Sequence, residues 1–559
     1  MSKQTKFESY REMPIRAMTV DNMLWNETGS WRNVKPVYDN KVSPCIYGCP
    51  AGENIQHYIQ LVIDRKYKEA WETIIETNPM PAVTGRVCSH PCMDKCTRGD
   101  YDETVNINAI ERALGDMGLD NPEWMTKPEK SKKEKIAVVG SGPAGLTSAF
   151  YLARTGYSVT LYEAGETLGG VLRWGIPEYR LPDSVLDRVV EFILSSGKIK
   201  VEAGTTVGKD IEFKKLRNNF DAVFLGVGLM KSRQLGIPNE DCKGVEPGLD
   251  YLRKVNSGQV SSSSDKAVVI GGGNTAMDVA RSALRKGSDV TVVYRRTRTE
   301  MPAIASEIEE AEKEGIKFRF LASPKDIVTD GDKLSKVIFQ EMELGEPDET
   351  GRRSPVPLEG KTFTMDVDRL FTAIGEKGDL DGFKSEVDTE WELIKVKGEF
   401  GETGKKKIFA GGDIVTGAAS VVEAVAAGRR AAEKIDRVFN NEKDPPIEQE
   451  IDFGIENINT DYFPKSKRVL KPRIPASEAI KGFEEIFKGF DEQMLQKEAD
   501  RCFSCGVCNY CDNCWIYCPD ASIIRKDDEY EIDFDFCKGC LVCVEECPRS
   551  ALSIEEEGK

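Results

Sequence analysis

The chain has 559 residues, enough for roughly three or four domains. Hydrophobic residues make up 40% and charged residues 31%, which leaves material for sizeable cores and excludes wholesale disorder. Lys+Arg number 77 against 94 Asp+Glu, a net charge of −17, which argues against a nucleic-acid partner because such binders carry a basic face.

The first twenty residues carry Lys3, Lys6, Glu8, Arg11, Glu12 and Arg16 and no apolar core, so no secretory signal is expected there. The longest uncharged stretch, 136–153, is broken by Gly-Ser-Gly-Pro-Ala-Gly and reads as strand, loop and helix, not as a membrane span. A cytoplasmic location without membrane insertion is therefore expected. Only His57 and His90 offer imidazoles, so chemistry needing several is excluded.

Residues 1–130 hold five of the sixteen cysteines and helix-like text over 56–77. A Lys-rich linker at 127–135 follows. The first nucleotide fingerprint is Gly140-Ser-Gly142-Pro-Ala144-Gly145, after a strand at 136–139 and before a helix at 146–155. Its glycines suit a tight turn, close pyrophosphate approach and helix–strand packing, and the helix N-terminus favours phosphate. The next strand, 158–162, ends on Glu163, placed to accept from a ribose hydroxyl.

Ser261–Ser264 reads as a joint. The pattern then repeats about 131 residues on, as Gly271-Gly272-Gly273-Asn274-Thr275-Ala276 between a strand at 267–270 and a helix at 277–285. Here the second strand, 290–293, runs into Tyr294, Arg295 and Arg296, with Arg298 beyond, where an acid would be expected. Arginines suit a 2′-phosphate through charge-assisted bonds, so NADP(H) is favoured over NAD(H). Two such folds imply a flavin in one and a nicotinamide in the other. Ile408-Phe-Ala-Gly-Gly412-Asp413 adds a strand ending on an acid, before a small-residue helix over 420–432 that opens at Ser420 and Val421. Asp413 could bind a flavin ribityl hydroxyl, and the helix start could stabilise negative charge on a reduced flavin.

Residues 440–500 are charged and read as a connector with one helix. Two runs follow: Cys508-x2-Cys511-x2-Cys514-x3-Cys518-Pro and Cys537-x2-Cys540-x2-Cys543-x3-Cys547-Pro. This is the two-cluster bacterial ferredoxin spacing, in which the fourth cysteine of each run serves the other cluster. Cys508, Cys511, Cys514 and Cys547 thus form one set, and Cys537, Cys540, Cys543 and Cys518 the second. Paired CxxC also suits zinc, but two complete runs with trailing prolines favour iron–sulfur.

Three long runs carry a family resemblance: Gly169-Gly170-Val171-Leu-Arg-Trp-Gly175-Ile-Pro-Glu-Tyr-Arg-Leu-Pro182, Tyr294-Arg-Arg-Thr-Arg-Thr-Glu-Met-Pro302, and Gly411-Gly-Asp413. Over roughly residues 40–440 the chain resembles the small (β) subunit of glutamate synthase. The same module occurs in the large subunit of NADH-dependent ferredoxin:NADP oxidoreductase and the N-terminal half of dihydropyrimidine dehydrogenase. The resemblance implies FAD in the first fold, NAD(P)H in the second and iron–sulfur clusters in a helical N-terminal domain. It places Ala144, Glu163 and Val171 at FAD, and Gly170 is a further cofactor-binding candidate. Gly272 to Thr275, Arg295, Arg296 and Ala373-Ile374-Gly375 fall at the nicotinamide nucleotide.

The N-terminal cysteines depart from that pattern. Cys45-x3-Cys49 and Cys88-x3-Cys92-x3-Cys96 are present, but the usual preceding Arg-Cys-x-x-Cys is absent. Glu498-Ala-Asp-Arg501-Cys502-Phe-Ser-Cys505 looks like that motif moved to the far end, with a family-like helical lead-in over 482–497. By the resemblance, Cys502 and Cys505 would join Cys45 and Cys96, while Cys49, Cys88 and Cys92 would share a cluster with Glu111, where relatives place Gln or Glu. Fifteen cysteines and Glu111 then match four [4Fe-4S] clusters. Cys242 is left as a small, partly buried residue.

The expected class is α/β: two Rossmann-like folds of glutathione-reductase type, a helical N-terminal Fe–S domain and a C-terminal 2[4Fe-4S] ferredoxin-like domain. The expected borders are 1–130, 131–262 with 360–440 (FAD), 263–359 (NAD(P)), 441–500 and 501–559. The expected function is an NAD(P)H-dependent FAD/iron–sulfur oxidoreductase subunit exchanging electrons with ferredoxin or a larger catalytic subunit. Alternatives are a glutamate synthase β subunit proper, an electron-bifurcating transhydrogenase subunit, or a thioredoxin-reductase-like enzyme. The last needs a redox Cys-x-x-Cys near the flavin, and 131–440 contains only Cys242. No acid–base side chain is assigned to catalysis.

Overall fold

The computed structural model describes residues 27–125, 131–347, 351, 353–446, 452–527 and 529–557. The opening twenty residues, part of the Lys-rich linker and residues 447–451 of the connector lie outside the described residues.

The N-terminal domain is helical. The text over 56–77 forms two helices, Ile55–Ile63 and Tyr67–Ile75, because the chain turns at Arg65 with a left-handed φ of 59°. Ile55, Ile59 and Val62 recur at helical spacing and are buried. Trp71 meets Trp124 and Phe192 at ring distances of 5.8 and 5.6 Å, which seats this domain on the helix Asp183–Leu194 of the next one.

The first nucleotide fold is a seven-stranded sheet ordered Val396–Lys397, Glu402–Thr403, Ile408–Ala410, Ala222–Leu225, Lys135–Val139, Ser158–Tyr162 and Ile199–Glu202. The last five are parallel, and the central Ala222–Leu225 is buried throughout. Helices on both faces leave such strands no wet side, so they read as continuous apolar runs. The expected helices at 146–155 and 420–432 extend to Pro143–Thr155 and Val421–Asn440.

The second fold is a five-stranded parallel sheet ordered Lys317–Phe320, Asp289–Tyr294, Lys266–Ile270, Arg369–Thr372 and Val245–Pro247. It draws strands from outside 263–359. Arg369–Thr372 pairs with Lys266–Ile270 on one side and Val245–Pro247 on the other, although the expected border at 360 gave it to the FAD fold. Strand partners are chosen across the fold, which local text does not report. An antiparallel meander, Ala322–Asp330, Lys333–Pro347 and Arg353–Asp366, is inserted before that strand.

The connector holds two α-helices among the described residues, Ala476–Ala479 and Glu492–Ala499, besides short 3-10 turns, where one helix was expected. The expected lead-in over 482–497 is helical only from Glu492. The rest is a strap across three folded units. Ile486 N–H donates to Tyr179 O (3.1 Å), Arg473 pairs with Glu310 (2.6 Å), and Glu485 accepts from Arg86 (2.8 Å) and Arg112 (2.9 Å). Beneath it lies a buried ion network. Arg180 meets Asp278 at 2.8 Å, and Glu314 binds both Arg281 (2.7 Å) and Arg285 (2.8 Å). The last two guanidinium groups also stack over the Tyr179 ring.

The cysteine-rich C-terminal module does not stand alone. Val34–Tyr38 pairs antiparallel with Leu552–Glu556, so the N-terminal arm supplies it a strand. Arg32 holds Glu557 through two bonds of 2.8 Å, and Tyr38 stacks on Tyr530.

Candidate cofactor sites and redox centres

The two fingerprints show the backbone shape that a dinucleotide needs. Gly140 has φ +95°, and a Cβ there would lie 2.5 Å from Gly226 O. By contrast, a Cβ at Gly142 or Gly273 would meet nothing within 4 Å. These open positions are the N-caps of Pro143–Thr155 and Asn274–Arg285, and neither helix start has a side-chain cap. The first N–H groups therefore face open space with no side-chain acceptor, which fits a pyrophosphate.

A cleft of about 1760 Å³ lies over the second fingerprint. Gly271, Gly272, Gly273, Asn274, Thr275, Arg295, Arg296, Ala373, Ile374 and Gly375 line it, as does the buried-network residue Asp278. Val171, Ser420 and Val421 of the first fold face the same cleft, and Ser89 and Cys96 of the helical domain close one side. One cavity thus joins the nucleotide loop, the flavin-fold helix start and an N-terminal cysteine. Gly140, Gly142, Ala144, Gly145, Glu163, Gly170, Ala276, Gly412 and Asp413 lie outside its wall.

Glu163 ends its strand as expected, and its carboxylate accepts from Ser141 N–H (2.9 Å), Ser141 Oγ (2.5 Å) and Gly165 N–H (2.8 Å). Asp413 opens the short turn Asp413–Thr416. Burial raises its carboxyl to about 7, against a bond from the Ala419 backbone that lowers it. Ser420 caps Val421–Asn440 in a box with Glu423, worth about 1 kcal/mol.

The arginines after the second fold's strand divide. Arg296 is buried and donates from Nε to Arg353 O at 2.7 Å, and Arg298 pairs with Glu312 at 3.1 Å. Arg295 is the exposed one on the cleft wall.

The cysteines gather in groups. Cys45, Cys96, Cys502 and Cys505 line one small cavity with Pro44, Ile55, Ile59 and Phe503. Cys508, Cys511, Cys514 and Cys547 line a second, and Cys518, Cys537, Cys540 and Cys543 a third. Cys49, Cys88 and Cys92 are electrostatic neighbours of one another and of Glu111. Among the described residues no three His, Cys, Asp or Glu side chains are arranged for a single metal ion. Twelve of the cysteines ring the three small cavities instead.

The docking of the far-end motif is explained by two charged residues. Glu498 is fully buried and accepts from Asn106 N–H and Val469 N–H at 2.7 Å each, and from Arg501 at 2.7 Å. Arg501 also reaches Thr104 O (3.2 Å) and Asp102 (3.1 Å). A carboxylate and a guanidinium so completely paired tolerate burial, and they carry Cys502 and Cys505 to the N-terminal domain.

Burial and the neighbouring Cys96, Cys502 and Cys505 push the Cys45 thiol well up. Burial takes Cys505 and Cys543 to about 12 and Cys514 to about 11. Four thiolates crowded into an apolar pocket require a strongly cationic centre to ionise together, and an iron–sulfur cluster supplies one.

Glu111 is buried. It accepts from Thr84 Oγ and from Asn78 Nδ2 (3.2 Å), and its other oxygen meets His90 Nε2 at 3.0 Å. Sequence reasoning missed the rest of this polar cluster, which includes His90 and a second buried carboxylate, Glu53, bonded to Asn78 at 2.9 Å. Glu53 follows Cys49 by four residues, the one local signal that could have found it.

Three family models match. The pyridine nucleotide-disulphide oxidoreductase model covers residues 134–428, the 4Fe-4S model of dihydropyrimidine dehydrogenase domain II covers 35–122, and the 4Fe-4S binding domain covers 530–553. The chain is 37% identical over 499 residues to the NADP(+)-dependent formate dehydrogenase subunit beta of Moorella thermoacetica, covering 83% of this chain and 70% of that one. It is 35% identical over 519 residues to the NADPH-Fe(3+) oxidoreductase subunit beta of Geobacter sulfurreducens, covering 85% and 76%. It is 35% identical over 416 residues to the glutamate synthase [NADPH] small chain of Escherichia coli, covering 70% and 87%. The chain belongs to the pyridine nucleotide-disulphide oxidoreductase family, within the iron–sulfur flavoproteins that include the glutamate synthase small chain.

Proposed function

We propose that this flavin-dependent NAD(P)H oxidoreductase is the electron-input subunit of a larger complex. In this reading it passes electrons between NADPH and a catalytic partner through FAD and four [4Fe-4S] clusters. The observation that carries it is the shared cleft, lined by the second fold's nucleotide loop, the start of Val421–Asn440 and Cys96. FAD, when bound, converts between the two electrons of a hydride and the single electrons that clusters exchange.

The chain's own residues hold and shield these groups. Gly142 and Gly273 leave room for pyrophosphates, and Arg295 reaches a 2′-phosphate. Asp413 would hold a flavin ribityl hydroxyl, and the start of Val421–Asn440 would face the flavin ring. The four cysteine groups, with Glu111 completing that of Cys49, Cys88 and Cys92, hold the clusters. Two of the relatives are beta subunits, which supports a partner catalytic subunit here. Ferredoxin as a direct partner and a cytoplasmic location belong to the same reading. Among the described residues no helix is long and apolar enough to cross a membrane.

A glutamate synthase small chain proper is the second reading, favoured by the match over 416 residues. The C-terminal module, with its two complete cysteine runs, favours the first. The test is anaerobic reduction of the purified chain. NADPH is expected to bleach the flavin band at about 450 nm together with the brown cluster absorbance. A chain without flavin, or holding zinc in place of iron and sulfide, would overturn the proposal.

A further inference from the structure

The two ferredoxin runs form a pseudo-repeat, and they differ where cluster binding makes no demand. Between the third and fourth cysteines the first run reads Cys514-Trp515-Ile516-Tyr517-Cys518, and the second Cys543-Val544-Glu545-Glu546-Cys547. Each opens on a single helical turn, Asn513–Ile516 or Val542–Glu545, with its cysteine buried. The second run shows that this turn is compatible with acidic residues. In the first, Trp515 is 44% exposed, Ile516 61% and Tyr517 48%. Three adjacent large side chains with exposed apolar surface, of which Tyr517 also bonds Tyr462 through its hydroxyl, mark an interaction site more than a packing need.

The surroundings say what kind of partner fits. The two turns pack against each other, with Asn513 donating to Glu546 O at 3.2 Å, so Glu545 and Glu546 flank the apolar triad. Over 502–559 the module carries five Lys/Arg against thirteen Asp/Glu. A second copy of this chain would bring the same negative charge and be repelled, whereas a basic face is attracted. Cys514 and Cys518 bracket the triad and belong to different cysteine groups, so a partner seated there lies beside both.

We propose that Trp515, Ile516 and Tyr517 are the docking patch for the redox partner, whose matching face has an apolar centre ringed by Lys and Arg. This rests on the electron-input reading above.

The test uses the full chain and cytochrome c, a basic protein with an exposed apolar haem edge, as the probe. NADPH-driven reduction of cytochrome c is compared with reduction of ferricyanide, a small acceptor that needs no docking patch. The triple variant Trp515→Val/Ile516→Gln/Tyr517→Gln imitates the second run without adding charge. It is expected to slow cytochrome c reduction about ten-fold, with iron content and ferricyanide reduction unchanged. The wild-type rate with cytochrome c should also fall as salt rises. Ile554→Gln, which removes an exposed apolar residue elsewhere on the module, should change neither rate.

A triple variant at the wild-type rate, or an equal loss from Ile554→Gln, overturns the docking patch. So does a wild-type chain that reduces ferricyanide but not cytochrome c. If the triple variant loses iron, Ile516→Gln alone decides the question by the same comparison. A wild-type chain that reduces neither acceptor refutes the electron-input reading, and the docking patch falls with it.

Discussion

Ser43 Oγ donates to the Cys505 carbonyl at 2.6 Å. That bond spans most of the chain, and it is one of several. Lys41 N–H reaches Gly506 O (2.8 Å), and Gly506 N–H reaches Arg549 O (2.7 Å). The N-terminal arm, the far-end cysteine motif and the second ferredoxin run are thereby laced together around the cavity of Cys45, Cys96, Cys502 and Cys505.

If both ends of the chain supply one cluster, Cys502→Ser should lose about four irons per chain while the two ferredoxin groups keep theirs. Iron and sulfide analysis of anaerobically purified protein checks this. Unchanged iron would show that Cys502 is no ligand.

Glu111→Ala should alter the redox titration of one cluster and leave the others in place, because it removes one anionic oxygen ligand from that cluster. EPR during potentiometric titration reads it out. If every feature stays fixed, Glu111 serves only its bonds to Thr84, Asn78 and His90.

Arg295→Ala should raise the KM for NADPH about ten- to a hundred-fold, the loss expected for one or two charge-assisted phosphate bonds. The KM for NADH should stay nearly constant. Arg296→Ala should lower stability as well, since its Nε donates to Arg353 O while the residue also lines the cleft. Steady-state kinetics with both nucleotides, together with thermal unfolding, distinguish the two.

Glu314 lies between Arg281 and Arg285. Burial alone would raise its carboxyl, but the bonds from Arg285 and Arg281 outweigh this and hold it at about 2. The folded value is below that of an unfolded Glu, about 4.5, so the pairing stabilises fully above that pH and fades as pH falls toward 2. Glu314→Gln should cost about 3–5 kcal/mol at neutral pH, the penalty for stranding buried charges, and flatten the acid limb below about pH 4.5. Thermal unfolding across pH measures both.

The nucleotide loops and the ferredoxin groups were legible in the text because their chemistry sets short, fixed spacings. Gly140 to Gly145 and Cys508 to Cys518 carry their geometry within a dozen residues. The partnership of Cys45 with Cys505 was legible only through a displaced family motif; nothing local announces that Glu498 and Arg501 bury themselves against Asn106 and Thr104. The place of Arg369–Thr372 in the second sheet was not legible, since its register is decided by strands more than a hundred residues earlier. Nor was the strap over Tyr179, where irregular backbone gives no periodicity to read.

The lacing of Lys41 and Ser43 to Cys505 and Gly506 has a consequence for biosynthesis. A ribosome adding about 5–20 residues per second displays Cys45 and Cys96 tens of seconds before Cys502 and Cys505 emerge. During that interval the early thiols have only part of their cavity wall. The cavity lined by Cys45 and Cys96 is therefore completed only after Cys502 and Cys505 have been made.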